Sequence, residues 1–173
     1  LPARVFVNRI WQELFGVGIV DTPGDFGLQG NLPTNQELLD WLAVDFIEHG
    51  WNIQYLLKKI MLSSTYQQSS IVRKEHLMLD PENKYLARFP RLRLKAEEIR
   101  DLILASSGLL NMEIGGPSVK TYQPAGLWEA ATSGRGNLSK FQLDTGKYLY
   151  RRGLYTFIKR TVPPPNMMLF DAS

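Results

Sequence analysis

Two amphipathic segments lie end to end over residues 34–64, and the short turn between them constrains the fold more than any other feature. Thr34-Asn35-Gln36-Glu37 has the pattern of a capping box, with Thr34 as N-cap and Glu37 reaching back. Leu38, Leu39, Leu42, Phe46 and Ile47 then recur on one helical face, with Trp41 beside it, and Gly50 closes the helix behind His49. Asn52 can cap a second helix over 53–64, with Ile53, Leu56, Leu57, Ile60 and Met61 as its stripe. Helices joined by so few residues must be neighbours. The pair therefore predicts a helix-on-helix core.

The flanking segments extend the same theme. Pro2 suits a first helical position, and Val7, Ile10, Trp11, Leu14 and Phe15 stripe a helix over 3–15 that Gly16 and Gly18 stop. Residues 19–33 read as a loop pinned by Phe26 and Leu28. Residues 65–79 are polar and ambiguous. Asp80-Pro81 reads as the start of a short helical turn reaching Ala87. Leu92 to Ser107 reads as a long helix ending at Gly108, with Ile99, Leu102, Ile103 and Ser106 facing inward. After Gly108 the chain turns loop-rich, with Gly126, Gly134, Gly136 and Gly146. Leu154–Ile158 suits a short strand or a helix, and Pro163-Pro164-Pro165 an extended run. The expected fold is mainly α. It is a compact multi-helix single domain over 1–173, with a helical core over 1–110, a loop-rich extension over 111–173, and at most a short strand or hairpin.

Composition removes several chemistries. With 44% apolar residues in 173, a core forms without disulfides or metal. The lack of cysteine excludes thiolate zinc sites, a Cys nucleophile and covalent c-type haem attachment within this chain. A net charge of +3 does not by itself imply nucleic acid. There is no run of about 18 apolar residues, the length that a membrane-spanning helix needs. The chain opens on Leu1 and not Met, which reads as a piece of a longer protein.

The densest polar stretch is Arg93-Leu94-Lys95-Ala96-Glu97-Glu98-Ile99-Arg100-Asp101. At helical spacing Arg93, Glu97, Arg100 and Asp101 form a ladder, either a structural ion-pair face or a carboxylate- and anion-reading cluster. Asp25 and Arg152 are the next candidates. Asp25-Phe26-Gly27 spells the kinase metal-binding tripeptide but lacks the loops that accompany it. Asp21 and Asp25 do not have EF-hand spacing. Neither His49 nor His76 has a second histidine at ligand spacing. The five methionines read as core or loop packing. Arg151-Arg152 and Lys159-Arg160 interleave with Tyr148, Tyr150, Tyr155 and Phe157. This is a pattern of nucleic-acid or sugar binders, or of arginine stems laid over an aromatic core. The 34–64 pair has helix-turn-helix spacing, but its second helix is apolar and its first is acidic, which disfavours DNA.

Several stretches together resemble one family. They are Ala3-Arg4-Val5-Phe6-Val7-Asn8-Arg9-Ile10-Trp11, Gly24-Asp25-Phe26-Gly27 with Pro33-Thr34, and Glu37-Leu38-Leu39-Asp40-Trp41-Leu42. They continue through Gly50-Trp51, Ser64-Thr65-Tyr66-Gln67-Gln68-Ser69-Ser70, Asp80-Pro81-Glu82-Asn83 and the Arg93–Asp101 stretch. The last are Gly115-Gly116-Pro117-Ser118, Tyr150-Arg151-Arg152 through Thr161, and Phe170-Asp171. In this order they resemble domain of unknown function 1553, the C-terminal domain of planctomycete-type, cytochrome c-associated exported proteins. The resemblance implies an extracytoplasmic location, in the periplasm or at the cell surface, and other domains of the same polypeptide as partners. It also implies a c-type haem only in a separate domain, and a further helical segment after Ser173. It carries no established reaction. The function expected on this basis is an accessory or scaffold domain that positions a redox domain or a glycan, with no cofactor of its own. The alternatives are an enzyme acting on envelope or environmental polysaccharide through the Arg/Glu/Asp cluster, and a nucleic-acid-binding helical module.

Overall fold

The computed structural model describes residues 1–132 and 141–170. The expected loop glycines Gly134 and Gly136, and Asp171 of the C-terminal motif, lie outside the described residues. Among the described residues the fold is mainly α, with eight α-helices, two 3-10 turns and isolated β-bridges in place of a sheet. Internal contacts divide the chain into two compact units, Leu1–Leu92 and Arg93–Ser173. The division falls earlier than the 110/111 boundary expected from loop content. The helix over Ala96–Ser106 makes its element contacts with segments that follow it.

In the first unit, α1 (Pro2–Phe15) starts with proline in its first turn and ends where Gly16, at φ 83°, returns its amide to the Gln12 carbonyl at 2.7 Å. It packs on α2 (Gln36–Glu48). Val7, Trp11 and Phe15 meet Leu39, Leu42 and Phe46 in one buried cluster, where Phe6 and Phe46 stack at 5.2 Å. Each such side chain contributes about 1.5–3 kcal/mol on burial. The α2 cap is Asn35, one residue later than expected. Its side chain accepts from the Leu38 amide at 2.9 Å. Thr34 is drawn away because both its amide and its hydroxyl donate to the Ile19 carbonyl, at 2.8 and 3.2 Å.

Asn52 caps α3 (Ile53–Met61) as expected, accepting from the Tyr55 amide at 3.0 Å. The helix stops short of residue 64 because Ser63 starts a separate turn, α4 (Ser64–Gln67), by accepting from the Tyr66 amide. Leu56 and Ile60 are buried, whereas Ile53 and Met61 at the helix ends are exposed. Phe26 packs against the core, but Leu28, expected to pin the same loop, is fully exposed. After α5 (Lys74–Leu79), the Asp80 carboxylate is buried and accepts from the amides of Lys84 and Tyr85 at 2.8 and 2.9 Å. It therefore closes a loop and does not cap the expected helical turn.

The α2–α3 seam carries one polar staple. Lys59 places its ammonium 2.6 Å from Asp45 Oδ1, 2.9 Å from the Tyr55 hydroxyl and 4.4 Å over the Trp41 ring. The bond to Asp45, then that to Tyr55, raises the Lys59 pKa above its ordinary value of 10.5. A raised folded value means that the contribution is complete below pH 10.5 and is lost as pH rises through the higher, folded value. Lys59→Met is expected to flatten the alkaline fall in denaturation midpoint above pH 10.5 relative to wild type. An unchanged slope in pH-dependent urea melts would refute this role.

The second unit contains α6 (Ala96–Ser106), α7 (Leu127–Thr132) and α8 (Pro165–Met168). The expected helix over 92–107 begins later, at Ala96, where the Glu98 carboxylate accepts from the Lys95 amide at 2.8 Å. Its buried positions are Ala96 and Leu104, while Leu102 and Ile103, expected inside, are 58% and 60% exposed. The 153–158 stretch forms a 3-10 turn, Gly153–Tyr155, and a bridge between Val119 and Thr156, not a regular strand. The proline run ends as the start of α8 and is not extended throughout.

Candidate functional site

The rotation of α6 away from its apolar stripe has a polar cause. Asp101 turns toward the segment that follows the 3-10 turn Gly146–Tyr150. Its Oδ1 accepts from the Gly153 amide at 2.5 Å, and its Oδ2 accepts from Arg152 Nε at 3.0 Å. One turn back on the helix, Glu97 presents its backbone to the same residue. A Cβ built on Gly153 would lie 2.8 Å from both Glu97 Cα and the Glu97 carbonyl oxygen. Arg100 is half-buried and donates from Nη2 to the Leu149 carbonyl at 2.6 Å. Burial lowers its pKa, partly offset by the neighbouring Asp101 charge. Helix and segment are thus joined side chain to backbone at Leu149 and Gly153, and side chain to side chain at Arg152.

Gly153→Ala is expected to destabilise the second unit by about 1–3 kcal/mol, because backbone and not a flexible side chain must give way. Urea denaturation measures this directly. A cost near zero would mean that the 153 segment does not press on α6.

The six candidates do not share one cluster. Glu97, Arg100, Asp101 and Arg152 meet at the α6 seam. Arg93 lies three residues before the first residue of α6, outside any helix, so the 93–97 step of the ladder is not a helical i, i+4 pair. Asp25 belongs to the first unit, where its Oδ1 accepts from the Gly27 amide at 2.7 Å in a two-residue side-chain turn. Among the described residues no group of three or more His, Cys, Asp or Glu gathers to hold a metal.

The residue that organises this region, Arg151, was not among the six. It is 2% exposed, and it donates to the carbonyls of Glu113, Gly115 and Pro117. Its guanidinium carbon lies 3.7 Å over the Tyr155 ring. The backbone beside it is tied by Asn111 N to Tyr150 O at 2.8 Å and Val119 N to Tyr155 O at 2.7 Å. The interleaving of arginine with tyrosine was the legible signal. Tyr155 shows that it marks arginine packed on an aromatic ring and closing a loop.

Fold and site together define a mainly α protein in which Asp25, Asp80, Arg100, Asp101 and Arg151 hydrogen-bond to the chain's own backbone. The family model described as Protein of unknown function (DUF1553) matches residues 1–173, so the chain belongs to that family. No curated protein and no solved structure matches the chain.

Proposed function

We propose that the chain is a non-catalytic accessory domain of an exported, c-type-cytochrome-linked bacterial protein, acting outside the cytoplasm to position a redox domain or a glycan. The observation that carries the reading is the double engagement of Asp101. A glycosidase needs two carboxylates free to face a scissile bond. Asp101 instead accepts from Gly153 and Arg152, and Asp25 from Gly27. An Asp101 already occupied in this way favours bracing over chemistry at the α6 seam. No helix among the described residues is long and apolar enough to cross a membrane.

The rival is a polysaccharide-active enzyme using Glu97, Asp101, Arg93 and Arg100. The two separate on one assay, release of reducing ends from sulfated and neutral glycans by the full parent protein. The accessory reading expects no release above a heat-treated control, and Asp101→Asn equal to wild type. Turnover that Asp101→Asn abolishes in a still-folded protein would establish the enzyme instead. The nucleic-acid reading expects a salt-sensitive shift with oligonucleotides, and the acidic face of α2, with Glu37, Asp40 and Glu48, opposes it.

A further inference from the structure

The first unit contains a cleft of about 520 Å³, within the range of small-molecule sites. Trp11, Phe15 and Leu38 supply an apolar floor. Each of its two walls is held by a buried polar residue. On one side Asn8, fully buried, donates to the Val20 carbonyl at 2.9 Å and accepts from the Val20 amide at 2.8 Å, which fixes residues 17–20. A Cβ at Gly18 would lie 2.6 Å from the Asn8 amide nitrogen, so this wall approaches α1 as closely as backbone allows. On the other side the buried Asp80 holds the 82–86 loop by the amides of Lys84 and Tyr85. In that loop Asn83 and Leu86 adopt φ 57° and 50°. A left-handed leucine is a strained conformation that the surrounding bonds must impose.

The rim chemistry narrows the ligand. At the rim Glu82 and Lys84 pair at 2.9 Å and Asp21 Oδ1 accepts from the Asn31 amide at 3.0 Å, which leaves their remaining lone pairs and ammonium protons, with the Asn35 side-chain amide, to accept and donate. Tyr85 stands at the mouth, 79% exposed. Acceptors and donors of nearly balanced charge around an apolar floor suit a neutral ring with one greasy face and hydroxyls along its edge. A purely apolar ligand would leave the rim groups desolvated, and a strongly charged one would meet both signs. We propose that this cleft is a binding site for such a ring, the chemistry of a pyranose sugar unit. The assignment rests on the accessory reading insofar as it supplies the glycan contact that reading calls for.

The test is a titration of the ¹⁵N-labelled chain with methyl β-glucopyranoside, methyl α-mannopyranoside and methyl N-acetyl-β-glucosaminide. Cyclohexanol and tetramethylammonium chloride serve as apolar and cationic controls. At least one pyranoside should give saturable amide shifts at Gly18, Ile19 and Tyr85. Tyr85→Ala, which alters an exposed side chain, should weaken that binding about fivefold, or about 1 kcal/mol, and Glu82→Gln should also weaken it. Absence of saturable shifts with every pyranoside, equal shifts with cyclohexanol, or a response to tetramethylammonium alone would overturn the assignment. So would binding that both variants leave unchanged. Hydrolysis of a bound pyranoside would overturn the accessory reading while leaving the cleft assignment standing. Failure to bind with no turnover of glycans would do the reverse.

Discussion

Arg151→Met should cost the second unit about 3 kcal/mol, the largest loss expected from any single charged side chain in it. Three carbonyl acceptors on the 113–117 turn converge on this one guanidinium. Hydrogen bonds to a charged donor contribute about 1.5–3 kcal/mol each, and acceptors left buried without a partner carry a further penalty. Partial hydration of the turn, whose Gly115 and Pro117 are exposed, keeps the total below the simple sum. Arg151→Lys should recover little, because a single ammonium cannot reproduce a planar fork that reaches three carbonyls while lying on the Tyr155 ring. The measurement is urea denaturation of the whole chain, read at second-unit amides by NMR. Arg151→Lys at wild-type stability would show that charge alone, and not the fork, closes the turn.

Asn8→Ala should cost the first unit about 2–4 kcal/mol. Asn8 satisfies both backbone groups of Val20, and both residues are buried, so truncation strands a donor and an acceptor where water does not reach. Asn8→Leu should be no better, since it restores volume without either bond. The same melts followed at first-unit amides test this. A loss below about 0.5 kcal/mol, the level of an ordinary surface substitution, would mean that the 17–20 wall holds without Asn8.

The sequence was most legible where local chemistry and burial agree. α1, α2 and α3 follow from apolar periodicity bounded by Pro2, Gly16, Asn52 and Gly50. It misled where a distant acceptor competed. Thr34 looked like the cap, yet the Ile19 carbonyl, 15 residues away, captures both its donors and passes the cap to Asn35. α6 shows the same effect on a larger scale. Its apolar stripe argued for burying Leu102 and Ile103, but the bonds from Asp101 and Arg100 to residues 149–153 turn that stripe outward. Those partners are 49–52 residues away, beyond the reach of any spacing rule. For the candidate site, the acid and arginine types were readable. Their employment was not, because a carboxylate that caps an amide and one that awaits a substrate look alike in sequence.

Amide hydrogen exchange at Gly153 probes that distinction. If the Asp101 carboxylate is held by the backbone, the Gly153 amide exchanges slowly in the native chain, and Asp101→Ala, which removes the acceptor, accelerates it by about tenfold or more, the equivalent of a lost hydrogen bond of about 1.4 kcal/mol. A Gly153 amide that exchanges in the native chain as fast as an unprotected glycine would mean that Asp101 is free, and the bracing role assigned to the α6 seam would be wrong.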